Sequence, residues 1–252
     1  RHQLALLRAS DVVFAQTPIE VEFLTRIGVA PQRIVLAGVG VEPSEVTGGD
    51  AQRFRQLLGT DAPIVLALGT QTADKGTLHL IAAMQTLWAA GSGAHLALVG
   101  TAMREVKQAL DALPASVRVH THLLGSVSDE TKRDALAACA LLALPSRTDS
   151  FGIVLLEAWL NTKPVVGARA GGIPAIIDDG CDGLLVPFGD VPALADAIQQ
   201  LLNNETLRAA FGQAGRAKTL AHYTWDTIYP VIRETYERFD TSRVPARGTY
   251  NG

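Results

Sequence analysis

The sequence has few cysteines, no long apolar run and no excess of one charge sign, and each shortage excludes a class of protein. Only Cys139 and Cys181 occur in 252 residues, far apart and at no metal-ligand spacing. A disulfide scaffold and a thiolate metal centre are thereby disfavoured, and both residues read as reduced, structural cysteines of a cytoplasmic protein. The longest apolar stretches, such as Ala137 to Leu144, have the length of buried strands and not of a membrane span. The 22 basic and 25 acidic residues are well mixed, for a net charge of -3. No basic face for nucleic acid is evident, so an acidic ligand would have to be held by a few placed groups.

What is present is a globular composition, 48% hydrophobic and 19% charged, on a chain long enough for one large α/β domain or one domain plus fragments. The chain starts at Arg1 and carries no targeting segment there, which reads as processing or truncation of a longer protein. Thr241 to Gly252, with Pro245, Gly248 and Gly252 and no apolar period, is expected to be loosely held.

Short aliphatic runs alternate with amphipathic segments at helical spacing, the pattern of repeated β–α units around a parallel sheet. Strands are expected at Val12 to Gln16, Arg33 to Ala37, Pro63 to Leu68, His95 to Val99, Val117 to Leu123, Leu141 to Pro145, Pro164 to Gly167 and Gly183 to Val186. Helices are expected at Pro18 to Ile27, Thr77 to Ala90, Arg104 to Leu113, Asp129 to Ala138, Gly152 to Leu160, Ile173 to Asp178 and Val191 to Leu202. Three more, at Glu205 to Gly212, Gln213 to His222 and Trp225 to Phe239, follow the last strand. The fold class is therefore α/β, a Rossmann-like open parallel sheet with helices on both faces and C-terminal helices. Gly38 to Gly59, rich in Gly, Pro, Ser and Thr, reads as a domain junction. Ahead of it lies too little chain for an independent core.

Two strand-to-helix loops could carry chemistry. In Gly69-Thr70-Gln71-Thr72-Ala73-Asp74-Lys75-Gly76 a lysine sits beside backbone amides at a helix start, a placement suited to phosphate, although the spacing is not that of a P-loop. Taken alone, Lys75 reads better as a solvated lysine in a tight turn. In Pro145-Ser146-Arg147-Thr148-Asp149-Ser150-Phe151-Gly152-Ile153 the amides of Phe151 to Ile153 open a helix, with a partial positive pole of about half a charge. Asp149 or Ser150 could instead be a plain helix cap. Glu157, about 7.5 Å beyond Gly152 along a helix, could be a plain helix residue paired with a nearby cation, but it lies in the apolar run Ile153 to Trp159, where a free acid is costly without a partner, and a ligand contact is the better reading. His120 and His122 alternate along an expected strand and could mimic a metal pair, but no third ligand is in reach by sequence, and ordinary strand positions are preferred.

Asp149 and Glu157 lie eight apart around Phe151-Gly152 and ahead of Ala158, followed by Pro164-Val165-Val166 and Gly171-Gly172-Ile173. Together with Asp74-Lys75-Gly76, Leu124-Gly125-Ser126-Val127-Ser128-Asp129 and Asp182-Gly183-Leu184-Leu185-Val186-Pro187, this order resembles the donor domain of group 1 (family 4) retaining glycosyltransferases of the two-Rossmann-domain GT-B type. The resemblance runs from about Asp11 to Phe239.

The resemblance implies a division of the chain. Residues 1–42 would be a remnant of the N-terminal acceptor domain with its linker, 43–224 the donor-binding domain, 225–240 a crossover helix and 241–252 a flexible tail. It also implies roles. Lys75 would bind the donor diphosphate, Glu157 the ribose, and Asp149, where the family usually has glutamate, the donor sugar. With these, Gly69, Thr70, Ser150, Phe151, Gly152 and Ile153 would line the donor site; Gly125, Ser126 and Val127 would pack on the base. Lys132 matches a lysine sometimes near the nucleotide and reads equally as a surface residue. Lys75, Asp149 and Glu157 would be the catalytic set. Thr70 stands where an arginine is usual, a loss on the scale of a charge-assisted hydrogen bond, roughly 1.5–3 kcal/mol, unless Arg147, Lys132 or the other domain compensates.

The implied reaction transfers a sugar from a UDP- or GDP-sugar to an acceptor hydroxyl with retention, without a metal or other cofactor. The acceptor domain would be missing from this chain, and any peripheral membrane contact would run through it. A non-catalytic nucleotide-sugar-binding module and a sugar-nucleotide epimerase of the same architecture are the alternatives.

Overall fold

A computed structural model describes residues 2–242. Helix α1 (His2–Ala9) leads into β1 (Val13–Ala15), α2 (Pro18–Arg26) and β2 (Ile34–Leu36). Strands β1 and β2 pair in parallel as a two-stranded sheet. Ala15, Leu24 and Val29 form a small core of their own beneath it.

The larger layer begins with α3 (Pro43–Val46), α4 (Ala51–Leu58), β3 (Ile64–Leu68), α5 (Thr77–Ala89) and β4 (His95–Val99). It continues through α6 (Arg104–Asp111), α7 (Ala115–Arg118), β5 (Thr121–Gly125), α8 (Asp129–Ala138) and β6 (Leu141–Leu144). The last units are α9 (Ile153–Leu160), β7 (Val165–Ala168), β8 (Gly183–Val186), α10 (Val191–Asn203), α11 (Glu205–His222) and α12 (Trp225–Ser242). All pairings in its sheet are parallel, in the order β5-β4-β3-β6-β7-β8.

Alternation along β3 shows why the sheet is covered twice. Ile64, Leu66 and Leu68 pack with Phe54 of α4, Leu136 of α8 and Leu155 and Trp159 of α9. Val65 and Ala67 pack on the other side with Leu80 and Met84 of α5, Val106 of α6 and Ile198 of α10. A period of two puts successive side chains on opposite faces, and near-continuous apolar strands are what a doubly covered parallel sheet requires. The expected fold class is the observed one.

The strand order also locates a crevice. From β3 the chain builds outward through β4 to β5, then returns to β3's other side to build β6, β7 and β8. The loops after β3 and β6 therefore diverge at a topological switch point, where open α/β sheets bind ligands.

Several local expectations are corrected. Val117 to Leu123 is not one strand: Pro114 starts the short helix α7, and β5 begins only at Thr121. Ile173 to Asp178 forms only a 3-10 turn, Ile173–Ala175. The backbone N–H of Asp178 donates instead to Asp182 Oδ1 at 2.9 Å, which takes the chain out of the helix. Gly212 and Gly215 do not break α11, which is a single helix, because packing of α11 against α9 outweighs glycine's weak propensity. The junction-like stretch from Gly38 holds α3 and α4, whose starts are capped by Glu42 and Asp50. Helix α1 was not expected from the pattern. Of the tail expected from Thr241, residues 243–252 lie outside the described residues, and Thr241 and Ser242 end α12.

Helix α12 reaches back to the two-stranded layer. The Phe14 and Tyr236 rings lie 5.9 Å apart. Just ahead of the helix, the backbone N–H of Val41 donates to the carbonyl of Tyr223 at 2.8 Å.

Candidate functional site

The loop after β3 is built rigidly. Buried Gln71 donates to the carbonyl of Gly69 at 2.8 Å and accepts from Thr77 Oγ1 at 3.0 Å, while Thr72 Oγ1 accepts from the backbone N–H of Lys75 at 3.1 Å. Gly76 follows with φ +74, and a Cβ there would lie 2.0 Å from the carbonyl oxygen of Pro145. Only glycine allows the two loops to approach this closely. They are tied by the backbone N–H of Arg147 donating to the carbonyl of Asp74 at 2.9 Å.

That approach brings together residues 74 apart in sequence: Lys75 Nζ donates to Asp149 Oδ1 at 2.6 Å. The second oxygen of Asp149 is buried with no hydrogen-bond partner. Neither Asp149 nor Ser150 caps α9. Gly152, with φ +81, occupies the cap position, and no side chain satisfies the first turn. An uncapped helix start presents free amide donors and the positive end of the helix dipole to whatever occupies the crevice.

A cavity of about 300 Å³ sits there, lined by Gly69, Thr70, Lys75, Asp149, Ser150, Phe151, Gly152, Ile153 and Val154 on the side of the six-stranded sheet. Gln16 and Val39 close it from the N-terminal segment. The sequence reading missed both. Gln16 directly follows a strand, a position the strand-end rule would mark, but nothing local shows that β1 points at this loop.

Gly125, Ser126, Val127, Lys132 and Glu157 do not line that cavity. Gly125 ends β5 and Ser128 caps α8 through the backbone N–H of Thr131 at 3.2 Å. Lys132, one turn along α8, donates to Glu157 Oε1 at 2.6 Å. Glu157 Oε2, like Asp149 Oδ2, is buried without a partner. One lysine–acid pair thus precedes α9 and a second involves its body, and each acid has one buried oxygen without a partner.

Neither cation suggested as a substitute at Thr70 joins the Lys75–Asp149 pair. Lys132 is engaged by Glu157; Arg147 pairs with Asp74 and lies 5.5 Å over the Phe188 ring.

Of the two histidines expected at ordinary strand positions, only His122 lies in β5. His120 precedes β5, and His95 of β4 supplies a third ring: His95 Nδ1 lies 2.8 Å from His122 Nε2, and His95 Nε2 lies 3.2 Å from His120 Nδ1. The rings form a chain and not a convergent set, and among the described residues no group of three or more His, Cys, Asp or Glu side chains has the geometry for a metal ion. Burial, then the neighbouring His122 and His120, push His95 down to about 4.

The family profile described as glycosyl transferases group 1 matches residues 49–218. D-inositol 3-phosphate glycosyltransferase of Xylanimonas cellulosilytica is 32% identical over 96% of this chain and 60% of its own length. The GDP-mannose-dependent monoacylated alpha-(1-6)-phosphatidylinositol monomannoside mannosyltransferase of Corynebacterium glutamicum is 32% identical over 83% of this chain and 60% of its own. The crystal structure of Anabaena HepE in complex with UDP-glucose superposes with a TM-score of 0.84 at 25% identity, over 94% of this chain and 67% of that one. The chain spans about 60% of the length of these two curated relatives. Its six-stranded sheet and flanking helices correspond to one half of the GT-B architecture. Family profile, relatives and fold agree: the chain belongs to the group 1 glycosyltransferases, a family of sugar-transferring enzymes.

Proposed function

We propose that this chain is the donor-binding half of a retaining glycosyltransferase, with residues 43–224 as the donor domain, and that it holds a nucleoside diphosphate sugar between the loops after β3 and β6. The observation that carries the reading is Glu157, whose Oε2 is buried without a partner while Oε1 holds Lys132. A buried acceptor left unmade costs about 1–3 kcal/mol, and a ribose diol supplies the missing donor. The base would rest on Gly125, Ser126 and Val127, one turn from Lys132. The diphosphate would lie on the free amides of the α9 N-terminus and on Lys75, with Asp149 turned to the sugar. UDP and GDP donors are the first candidates, because UDP-glucose and GDP-mannose appear in the names of the similar proteins.

In the transfer, the bond between the anomeric carbon and the β-phosphate oxygen breaks and a bond to the acceptor oxygen forms. The nucleoside diphosphate leaves with the electron pair, and the proton of the acceptor hydroxyl passes to the departing β-phosphate oxygen. Lys75 and the helix start stabilise charge that develops on the phosphate, an interaction stronger in the transition state than before it. No described residue is assigned as the base. The acceptor hydroxyl would be bound by a domain outside these residues, which would also make any contact with a membrane surface. The relatives' acceptors, by name, are an inositol phosphate and a phosphatidylinositol mannoside. Among the described residues no helix is long and apolar enough to cross a membrane, and a cytoplasmic site is proposed because nucleotide sugars must reach the cleft.

Thr70 favours one second reading, a module that binds nucleotide sugar without turnover. Titration of the chain with UDP, GDP, ADP and their sugars tests the donor site: a ligand at 100 times its Kd adds about 2.7 kcal/mol, several degrees at about 2–4 °C per kcal/mol. No shift with any of them would refute it. Transfer by the full-length protein, with the product's anomeric configuration determined, separates enzyme from module and tests retention.

A further inference from the structure

Gln16 belongs to the two-stranded layer, yet its side chain faces the donor cavity. It follows β1, and its backbone is held in place: its N–H donates to Glu20 Oε2 at 2.6 Å, while Thr17 Oγ1 accepts from the Glu20 N–H at 3.2 Å. This reciprocal arrangement at the start of α2 fixes where the chain leaves the strand. The side chain is oriented as well. Gln16 Oε1 accepts from Ser150 Oγ at 3.2 Å, across a sequence separation of 134 residues. With the carbonyl end committed, the amide end keeps two N–H donors that no described residue takes.

The same cavity is lined by Asp149, whose Oδ2 is buried and unpartnered. One wall therefore offers donors and another an acceptor, with Lys75 beside the acid. At about 300 Å³ the space is at the small end for a ligand site, which suits the sugar and its phosphate better than a whole nucleotide sugar. Resting on the donor-site reading above, we propose that Gln16 is a specificity-determining residue for the donor sugar: its amide donates to one ring hydroxyl while Asp149 accepts from another. A pair of opposite polarity across a sugar discriminates between hydroxyl orientations, because an epimer leaves a polar group unmatched on one side.

The experiment compares calorimetric affinities of this chain for UDP, UDP-glucose, GDP and GDP-mannose, in the parent and in Gln16→Ala. The expected result is unchanged nucleotide affinity and a roughly 3- to 10-fold loss of the extra affinity that the sugar confers, the size of one hydrogen bond. Ser150→Ala, which frees the amide to rotate but leaves it in place, should lose less. Melting temperatures should stay put, because Gln16 is exposed and outside every core. Equal weakening of nucleotide and nucleotide sugar in Gln16→Ala would overturn the proposal, as would no change in either. So would a parent chain that binds nucleotide and nucleotide sugar equally. Binding of none of the four by the parent is a different failure and overturns the donor-site reading itself.

Discussion

Glu157 Oε1 and Lys132 Nζ meet at 2.6 Å, joining α9 to α8 across 25 residues of sequence, while Glu157 Oε2 stays buried and unpaired. The pair orients the carboxylate without exhausting it. Glu157→Ala should therefore weaken nucleotide binding by about 10- to 100-fold, on the scale of a hydrogen bond to a charged group. Without ligand, stability should change by no more than about 1 kcal/mol, because Lys132, about a third exposed, can turn to solvent and the buried unpaired oxygen is removed together with the carboxylate. Titration calorimetry and urea denaturation of the same variant separate the two effects. A fold that collapses with Glu157→Ala would make the residue structural.

Lys75 should discriminate diphosphates from nucleosides. Lys75→Ala is expected to cost about 10-fold or more in UDP or GDP affinity and to leave nucleoside binding untouched. Equal losses for both ligand classes would show that the lysine holds the loop, through Asp149, and not the phosphate.

Thr70 lines the cavity where the resembling family carries an arginine. Thr70→Arg should tighten diphosphate binding by roughly 10-fold, the worth of one charge-assisted hydrogen bond. A tighter complex with unchanged melting of the free chain is the outcome that supports it; weaker binding would mean that Asp149 captures the new cation.

Two glycines should differ in what replacement does. Gly152→Ala forces an alanine to φ +81 with Leu144 and Leu155 carbons 3.0 Å from its Cβ, side chains that can give way. A loss of about 1–2 kcal/mol is expected. Gly76→Ala meets a backbone carbonyl oxygen at 2.0 Å and cannot relax without separating the loops, so about 3 kcal/mol or more should be lost. Urea midpoints of the two variants check the order.

The histidine chain predicts a pH dependence of stability. His95 is held at about 4 by burial and its two neighbours, below the ordinary value near 6.5. Its folded-state pKa is depressed, so the unfolded chain binds protons more readily between those values. Stability is full above about pH 6.5 and falls as the pH drops toward 4. Because the rings are half exposed, the loss between pH 7 and 5 should be about 1 kcal/mol. His95→Asn should flatten the profile of urea midpoints against pH; a profile identical to the parent's would remove His95 from the account.

Much of the architecture was legible from local pattern. The apolar runs of β3, β4, β6 and β8 and the amphipathic spans of α5, α8 and α10 lie within a residue or two of where periodicity placed them. The failures fell where local signal is weak or overruled. Pro114 turned an expected strand start into α7, Asp182 drew the chain out of helix at Asp178, and α9 carried two glycines through the middle of α11. At the site, loop glycines and the residues around Asp149 and Glu157 could be marked from sequence, but their partners could not. Asp149 read as a possible cap and is instead the partner of Lys75.

The sequence alone determined that this is a parallel α/β protein, because strand and helix periods and glycine-dependent turns are properties of neighbouring residues, and the order of its motifs carried the resemblance to group 1 glycosyltransferases. Strand order is no such local property. Only the tertiary structure decided that the chain reverses direction at β3, which sets the loops after β3 and β6 face to face, pairs Lys75 with Asp149 and Lys132 with Glu157, and brings Gln16 from a separate sheet into the same cavity. Those contacts span 25 to 134 residues and arise because both faces of one sheet had to be buried at once, a requirement of the whole chain and of no single segment.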